Sequence, residues 1–252
     1  MIPAMPPSRS SVHSVATPIA AVLVACHVGL LAPDAHAQTL AALLDGVADN
    51  ARFATPARAD VRITCGEGCT AAGRPAILLG RGDAIYLEVR DGVRALVRPG
   101  HVLVARDGRA VPAAVGESLA GSDVLLGDLA VFTPAALKVP QISDDGPAGV
   151  VVTAAPAGPS PYALLVHTIA RDHRTIVRTL YYSEHVNELA KTRRDGGFVE
   201  IAGRWRPGDV TVGSVRAGTT THLALSWKEA PDVPAVLFEP AGLERPSGLA
   251  WP

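Results

Sequence analysis

Aromatic side chains are scarce in this chain, only 4% of its 252 residues, and neither sign of charge dominates: 23 basic residues face 24 acidic ones. A chain without a basic excess lacks the electrostatic footprint of a nucleic-acid binder, so DNA and RNA are excluded as expected partners. There are three cysteines, too few for a disulfide-stapled miniprotein. No glycine-rich phosphate loop precedes a helix and no Gly-x-Ser-x-Gly elbow is present, which removes the common signatures of nucleotide binding and serine hydrolysis. What remains is 48% hydrophobic and 19% charged, a composition that excludes intrinsic disorder. With so few rings, the core must be built from Val, Leu, Ile and Ala.

The first 37 residues read as an export signal. Arg9 lies in a basic start, residues 18–32 form an apolar run, Pro33 breaks it, and Ala35 and Ala37 flank His36 as a small-residue cleavage site. Cleavage after Ala37 leaves a mature chain at 38–252, expected outside the cytoplasm in the periplasm. A competing pattern, Leu23-Val24-Ala25-Cys26, matches a lipobox and would anchor the chain through lipidated Cys26. No other stretch offers the roughly 18 consecutive apolar residues of a membrane-spanning helix.

The remaining cysteines stand in Cys65-Gly66-Glu67-Gly68-Cys69. In an oxidising compartment such a pair closes as a structural disulfide, with the glycines supplying the turn. Redox sites normally have two intervening residues, and a zinc site needs two further ligands nearby, so those alternatives are weaker.

One amphipathic helix is readable at 39–50, capped by Thr39 with Leu40, Leu43, Leu44 and Val47 on one face. A second helical turn is expected around 123–129, after Gly121-Ser122. Most of the rest alternates like strand. At 84–90, Ile85, Leu87 and Val89 point one way and Tyr86, Glu88 and Arg90 the other; at 221–227, Thr221, Leu223, Leu225 and Trp227 share a face. Further strands are expected at 58–64, 76–79, 93–98, 101–106, 137–142, 149–155, 162–171, 175–183, 185–194, 198–202 and 209–216. Close-set turn signals between them, such as Asp91-Gly92, Pro99-Gly100 and Asp107-Gly108, imply hairpins in series. The expectation is one large antiparallel sheet of about 10–11 strands, curved enough to form an apolar trough. The Pro-rich stretch 155–161 reads as a long loop inside one domain spanning 38–252, and the tail after Pro240 as loosely tethered coil.

Ser160-Pro161-Tyr162 entering an apolar strand, Arg171-Asp172-His173-Arg174 with 175–182, and Ile201-Ala202-Gly203-Arg204-Trp205-Arg206-Pro207 resemble the central hairpin and next turn of the outer-membrane lipoprotein-sorting family, the LolA/LolB-like carriers. Thr219-Thr220-Thr221 with Leu223 to Trp227, Phe238-Glu239-Pro240 with Leu243-Glu244-Arg245, and Gly121-Ser122-Asp123 with Gly127-Asp128-Leu129 resemble further segments of it. The Cys65/Cys69 insertion and Val124-Leu125-Leu126, where the family is often aromatic and acidic, depart from its pattern. The resemblance implies a mainly β half-barrel with one or two short helices covering its open side. It implies a cavity for acyl chains of lipoproteins or other lipids, with lipoproteins, or an inner-membrane exporter that feeds it lipid, as partners. No cofactor and no catalysis are expected.

From strand alternation, the cavity is expected to be lined by Ile85, Leu87, Val89, Val210, Val212, Leu223, Leu225 and Trp227. A rival reading is a protein-binding subunit of an envelope or exporter complex, its cavity filled by its own side chains. An enzyme is a third reading. His167, His173 and His185 lie near Asp172, Glu184 and Glu188, but in strands residues three apart face opposite ways, so a metal site is not expected. Lys191, Arg193 and Arg194 read as a solubilising hairpin end, or as a contact for lipid phosphates.

Overall fold

The computed structural model describes residues 35–66, 69–184 and 187–252. The expected export signal and the lipobox Cys26 therefore lie almost wholly outside the described residues. Among those described, no helix is long and apolar enough to cross a membrane.

The chain opens with helix α1 (Ala35–Ala51), which begins four residues before the expected cap at Thr39. A meander follows: β1 (Phe53–Thr64), β2 (Pro75–Gly82), β3 (Ala84–Val89), β4 (Arg94–Arg98), β5 (His101–Arg106) and β6 (Arg109–Pro112). After a long connection come β7 (Leu137–Gly146), β8 (Gly149–Pro156), β9 (Leu164–Ala170), β10 (Thr175–Tyr182) and β11 (Leu189–Gly196). A small hairpin, β12 (Val199–Ile201) with β13 (Arg204–Arg206), precedes β14 (Asp209–Ser214) and β15 (Thr219–Glu229).

Thirteen strands form one open antiparallel sheet in the order β6-β5-β4-β3-β2-β1-β15-β14-β11-β10-β9-β8-β7. It is the curved half-barrel expected, with more strands than the ten or eleven anticipated. Short β6 carries no readable alternation, and residues 198–202 do not join the sheet but fold into the separate β12–β13 pair. The two halves meet where β1 pairs with β15, Val61 opposite Leu225 and Ile63 opposite Leu223. The Pro-rich loop expected at 155–161 connects two neighbouring strands of this sheet, β8 and β9.

Strand order dictates what covers the inner face. β6 lies at one edge of the sheet and β7 at the other, so residues 113–136 must cross from edge to edge. They cross over the inner face: Leu119, Val124, Leu126 and Val131 share a buried cluster with Val61, Ile85, Leu87, Val97, Val104, Val210 and Leu223. The helical turn expected at 123–129 appears here as a 3-10 turn, Leu126–Leu129. Farther along, α1 packs Leu44 and Val47 against Val150, Val152 and Ile169.

The outer face has its own cover, contrary to the coil expected after Pro240. Val233, Leu237, Phe238 and Leu243 bury Ile77, Leu79, Tyr86, Leu96 and Leu103. Arg98 donates to the Phe238 carbonyl at 2.7 Å, the Ser247 amide donates to buried Glu88 at 3.2 Å, and Arg58 donates to the Ala250 carbonyl at 2.5 Å. These bonds satisfy backbone groups that an irregular segment would otherwise leave unpaired.

Candidate functional site

Between the inner face and its cover lies a cavity of about 630 Å³, within the range of small-molecule and lipid sites. The sheet supplies one wall; α1, the crossing segment, the β8–β9 loop and the β12–β13 hairpin supply the other.

One half of the cavity is apolar. Ile85, Val210, Val212, Leu223, Leu225 and Trp227 all line it, joined by Leu78 and Val102. These residues alternate along their strands, so one face of each strand reaches the cavity. Leu87 and Val89, expected beside them, share their face but do not line the cavity; each is 2% exposed in the packed inner core. Alternation gives the face, whereas the path of the crossing segment decides which residues of that face stay open.

Phe53, Trp227 and Arg206 fix one end. The Phe53 ring lies 5.8 Å from that of Trp227 and 4.2 Å beneath the Arg206 guanidinium, over Gly80, where any side chain would collide with it. Arg206 donates to the carbonyls of Asn50 at 2.6 Å and Arg52 at 2.8 Å. It thereby binds carbonyls freed where α1 ends, a favourable place for a cation. Asn50 pairs with the Trp205 backbone, accepting its N–H at 2.9 Å, and Trp227 Nε1 donates to the Pro207 carbonyl at 2.8 Å. The Arg204-Trp205-Arg206-Pro207 run singled out in the sequence is thus a bracket between helix and sheet.

The other half carries polar side chains among apolar ones: His167, Thr175, Thr179, Arg193 and Asp195 line it beside Phe132, Leu165 and Ile176. Lys191 and Arg193 turn inward from β11, contrary to the hairpin-end reading, while Arg194 points outward and is exposed. Lys191 forms an ion pair with Asp128, and Arg193 donates to both carboxylate oxygens of Asp195 at 2.7 Å and to the Asp128 carbonyl at 2.6 Å. Burial lowers the Lys191 pKa, with Asp128 opposing that shift. Lys191 also sits over the rings of Tyr162 and Tyr181, 5.2 and 4.8 Å from their centroids; burial first, and then the Asp128 charge, push both phenols above their ordinary range. Lys191 and Arg193 are thus committed to partners inside the protein, and Arg194 is the member of the cluster left on the surface. Asp195, two positions along the same strand face from Arg193, was the available sequence signal for an inward ion pair.

His167 completes this wall. Its Nδ1 lies 3.0 Å from Thr179 Oγ1, its ring meets Phe132 edge-on at 6.1 Å, and burial, with the Arg193 charge second, lowers its pKa to about 4. His173 stacks instead near Trp205, 4.1 Å between ring centroids, and His185 lies outside the described residues. Among the described residues no three His, Cys, Asp or Glu side chains gather closely enough to hold a metal.

The cover is pinned by its acidic residues and by the disulfide loop. Asp123 accepts from the hydroxyls of Thr219 at 2.5 Å and Thr221 at 3.0 Å on β15. The Cys65–Cys69 disulfide is present, its Cα atoms 6.1 Å apart, and Thr70 just beyond it donates its amide to the Ala120 carbonyl at 2.9 Å.

No family model and no curated protein matches the chain. Solved structures do. A DUF1329 family protein from Desulfovibrio piger aligns with a TM-score of 0.67 at 15% identity, over 81% of this chain and 98% of its own. An outer membrane lipoprotein-sorting protein domain from Vibrio parahaemolyticus aligns at 0.63 and 15%, over 83% and 97%. A LolA superfamily protein from Nitrosomonas europaea aligns at 0.59 and 18%, over 79% and 96%. The fold of this chain is therefore that of the lipoprotein-sorting proteins which its sequence motifs resemble.

Proposed function

We propose that the protein is a periplasmic carrier that shields the acyl chains of a lipoprotein or another lipid during outer-membrane sorting or envelope lipid transport, and that it performs no covalent chemistry. The observation that carries this reading is the cavity of about 630 Å³, apolar on one half and roofed by the crossing segment. The fold shared with a lipoprotein-sorting domain supports it. In this reading Ile85, Val210, Val212, Leu223, Leu225 and Trp227 contact the acyl chain, and the chain from residue 38 onward acts as one carrier domain.

Transferring a sixteen-carbon chain out of water at about 0.8 kcal/mol per methylene approaches 12 kcal/mol in the ideal limit. Release therefore requires an acceptor that competes for the chain, and loading a donor such as an inner-membrane exporter. The test is uptake: the delipidated protein is incubated with vesicles of envelope lipids, repurified, and its bound lipid extracted and weighed by mass spectrometry. A near-stoichiometric acyl lipid supports the carrier. A protein that returns bare, under conditions where it stays folded, overturns it in favour of a protein-binding subunit.

A further inference from the structure

The cavity's polar half contains an atom that a hydrocarbon chain leaves unsatisfied. His167 is 7% exposed and lines the cavity. Its Nδ1 is engaged by Thr179, while Nε2 is fully buried with no hydrogen-bond partner among the described residues. Thr175 repeats the pattern on the neighbouring strand: it too lines the cavity, 6% exposed, and its Oγ1 is buried without a partner. A buried polar atom without a partner is costly, and native structures rarely keep one.

The charged neighbours do not fill this role. Arg193 is held in the fork of Asp195 and by the Asp128 carbonyl, and Lys191 is held by Asp128. Their charges are spoken for within the protein. His167 Nε2 and Thr175 Oγ1 are left to meet a ligand, and beside a carboxylate-paired arginine a neutral imidazole is suited to a neutral polar group.

We propose that the ligand is an acyl ester or amide seated with its linkage carbonyl on His167 Nε2 and its chain along the β14–β15 wall, rather than a chain held by apolar contact alone. This deepens the carrier reading and rests on it. The imidazole donates from Nε2–H to the carbonyl oxygen, and Nδ1 accepts the Thr179 hydroxyl. The hydrogen bond sets how deep the chain enters, and it selects acylated molecules over plain hydrocarbon.

The test compares methyl laurate with tetradecane, an alkane of the same chain length, as competitors of a fluorescent naphthalene probe bound in the cavity. Each is measured on the mature protein and on His167→Phe, which keeps a ring against Phe132. The proposal expects both ligands to displace the probe, and the ester-to-alkane preference to fall about tenfold in His167→Phe. Comparing preferences between proteins cancels the difference in aqueous solubility. Thr179→Val, which removes the partner of Nδ1, is expected to lower the preference severalfold and serves if His167→Phe does not fold. Displacement by both ligands with unchanged preference in the folded variants overturns the carbonyl seat and leaves the carrier reading standing. Failure of both ligands to displace the probe from the unaltered protein removes the carrier reading, and the seat with it.

Discussion

Lys191 and Asp128 meet in an ion pair whose side chains are each only 6% exposed, joining β11 of the sheet to the segment that crosses the inner face. The same aspartate accepts the Leu125 amide at 2.7 Å, and its carbonyl accepts from Arg193. One residue of the cover is thus held by two cations of one strand. The cover is required by the edge-to-edge strand order, and this contact fixes where it lies.

Breaking one side of a buried ion pair strands the other charge, whereas replacing both sides with apolar groups removes the need for either. Asp128→Ala is expected to cost about 3 kcal/mol or more. The double change Asp128→Leu with Lys191→Met is expected to cost clearly less, although it also gives up the Leu125 cap. Urea unfolding of the three proteins measures both; a neutral Asp128→Ala would remove the ion pair from the account.

His167 makes the fold less stable as the pH falls. Its native pKa is about 4 against an ordinary 6.5. Above pH 6.5 neither folded nor unfolded chain protonates it, and it contributes no slope. As pH falls from 6.5 towards 4 only the unfolded chain binds the proton, so stability declines, with a total loss of about 3 kcal/mol. The stability difference between the parent and His167→Phe, read by urea unfolding, should therefore shift in favour of the variant by up to about 3 kcal/mol between pH 7 and 4; parallel curves would contradict the buried, neutral imidazole.

Leu87 and Leu225 alternate onto the same inner face but serve differently. Leu87→Ala should cost about 2–5 kcal/mol of stability, the usual range for a filled core site, and leave ligand choice unaltered. Leu225→Trp should fill part of the cavity, keep the fold, and weaken acyl-ligand uptake at least tenfold. Thermal unfolding and lipid uptake on both variants separate the roles, and equal effects would mean that the cavity wall is misplaced.

The disulfide closes a loop of about five residues, for which chain entropy gives about 2 kcal/mol. Because Thr70 next to it holds Ala120 of the cover, the double change of Cys65 and Cys69 to Ser should also raise hydrogen exchange at residues 118–126. Unaltered exchange there would confine the disulfide's effect to its own loop.

Removing residues 230–252 should uncover Ile77, Leu79, Tyr86, Leu96 and Leu103 on the outer face. Uncovered strand faces of this kind associate, so the shortened chain should aggregate during gel filtration. A monodisperse truncated monomer would show the tail to be dispensable.

Much of this was legible in the sequence. Period-two alternation in β3, β14 and β15 groups the residues that share a face, and six of the eight named from it line the cavity. What was not legible depends on segments without periodicity. The crossing segment closes over Leu87 and Val89, and nothing in β3 records that. The stretch after Pro240 read as coil because irregular backbone gives no repeat, although Leu243, Leu249 and Trp251 were an apolar series needing a place. Lys191 and Arg193 read as surface because charge usually is; their partners Asp128 and Asp195 become visible only when strand faces are counted. The histidine wall combines strands β9 and β10 whose register sets His167 opposite Thr179, a pairing that spacing alone does not reveal.

Whether the cavity holds an acyl chain is read out by native mass spectrometry of the mature protein purified from the envelope fraction of its source. The expected result is a stoichiometric adduct whose extract contains acyl ester or amide lipid, lost in Leu225→Trp. A bare mass for the unaltered protein that stays bare after exposure to envelope lipids, or an adduct retained in full by Leu225→Trp, would contradict it.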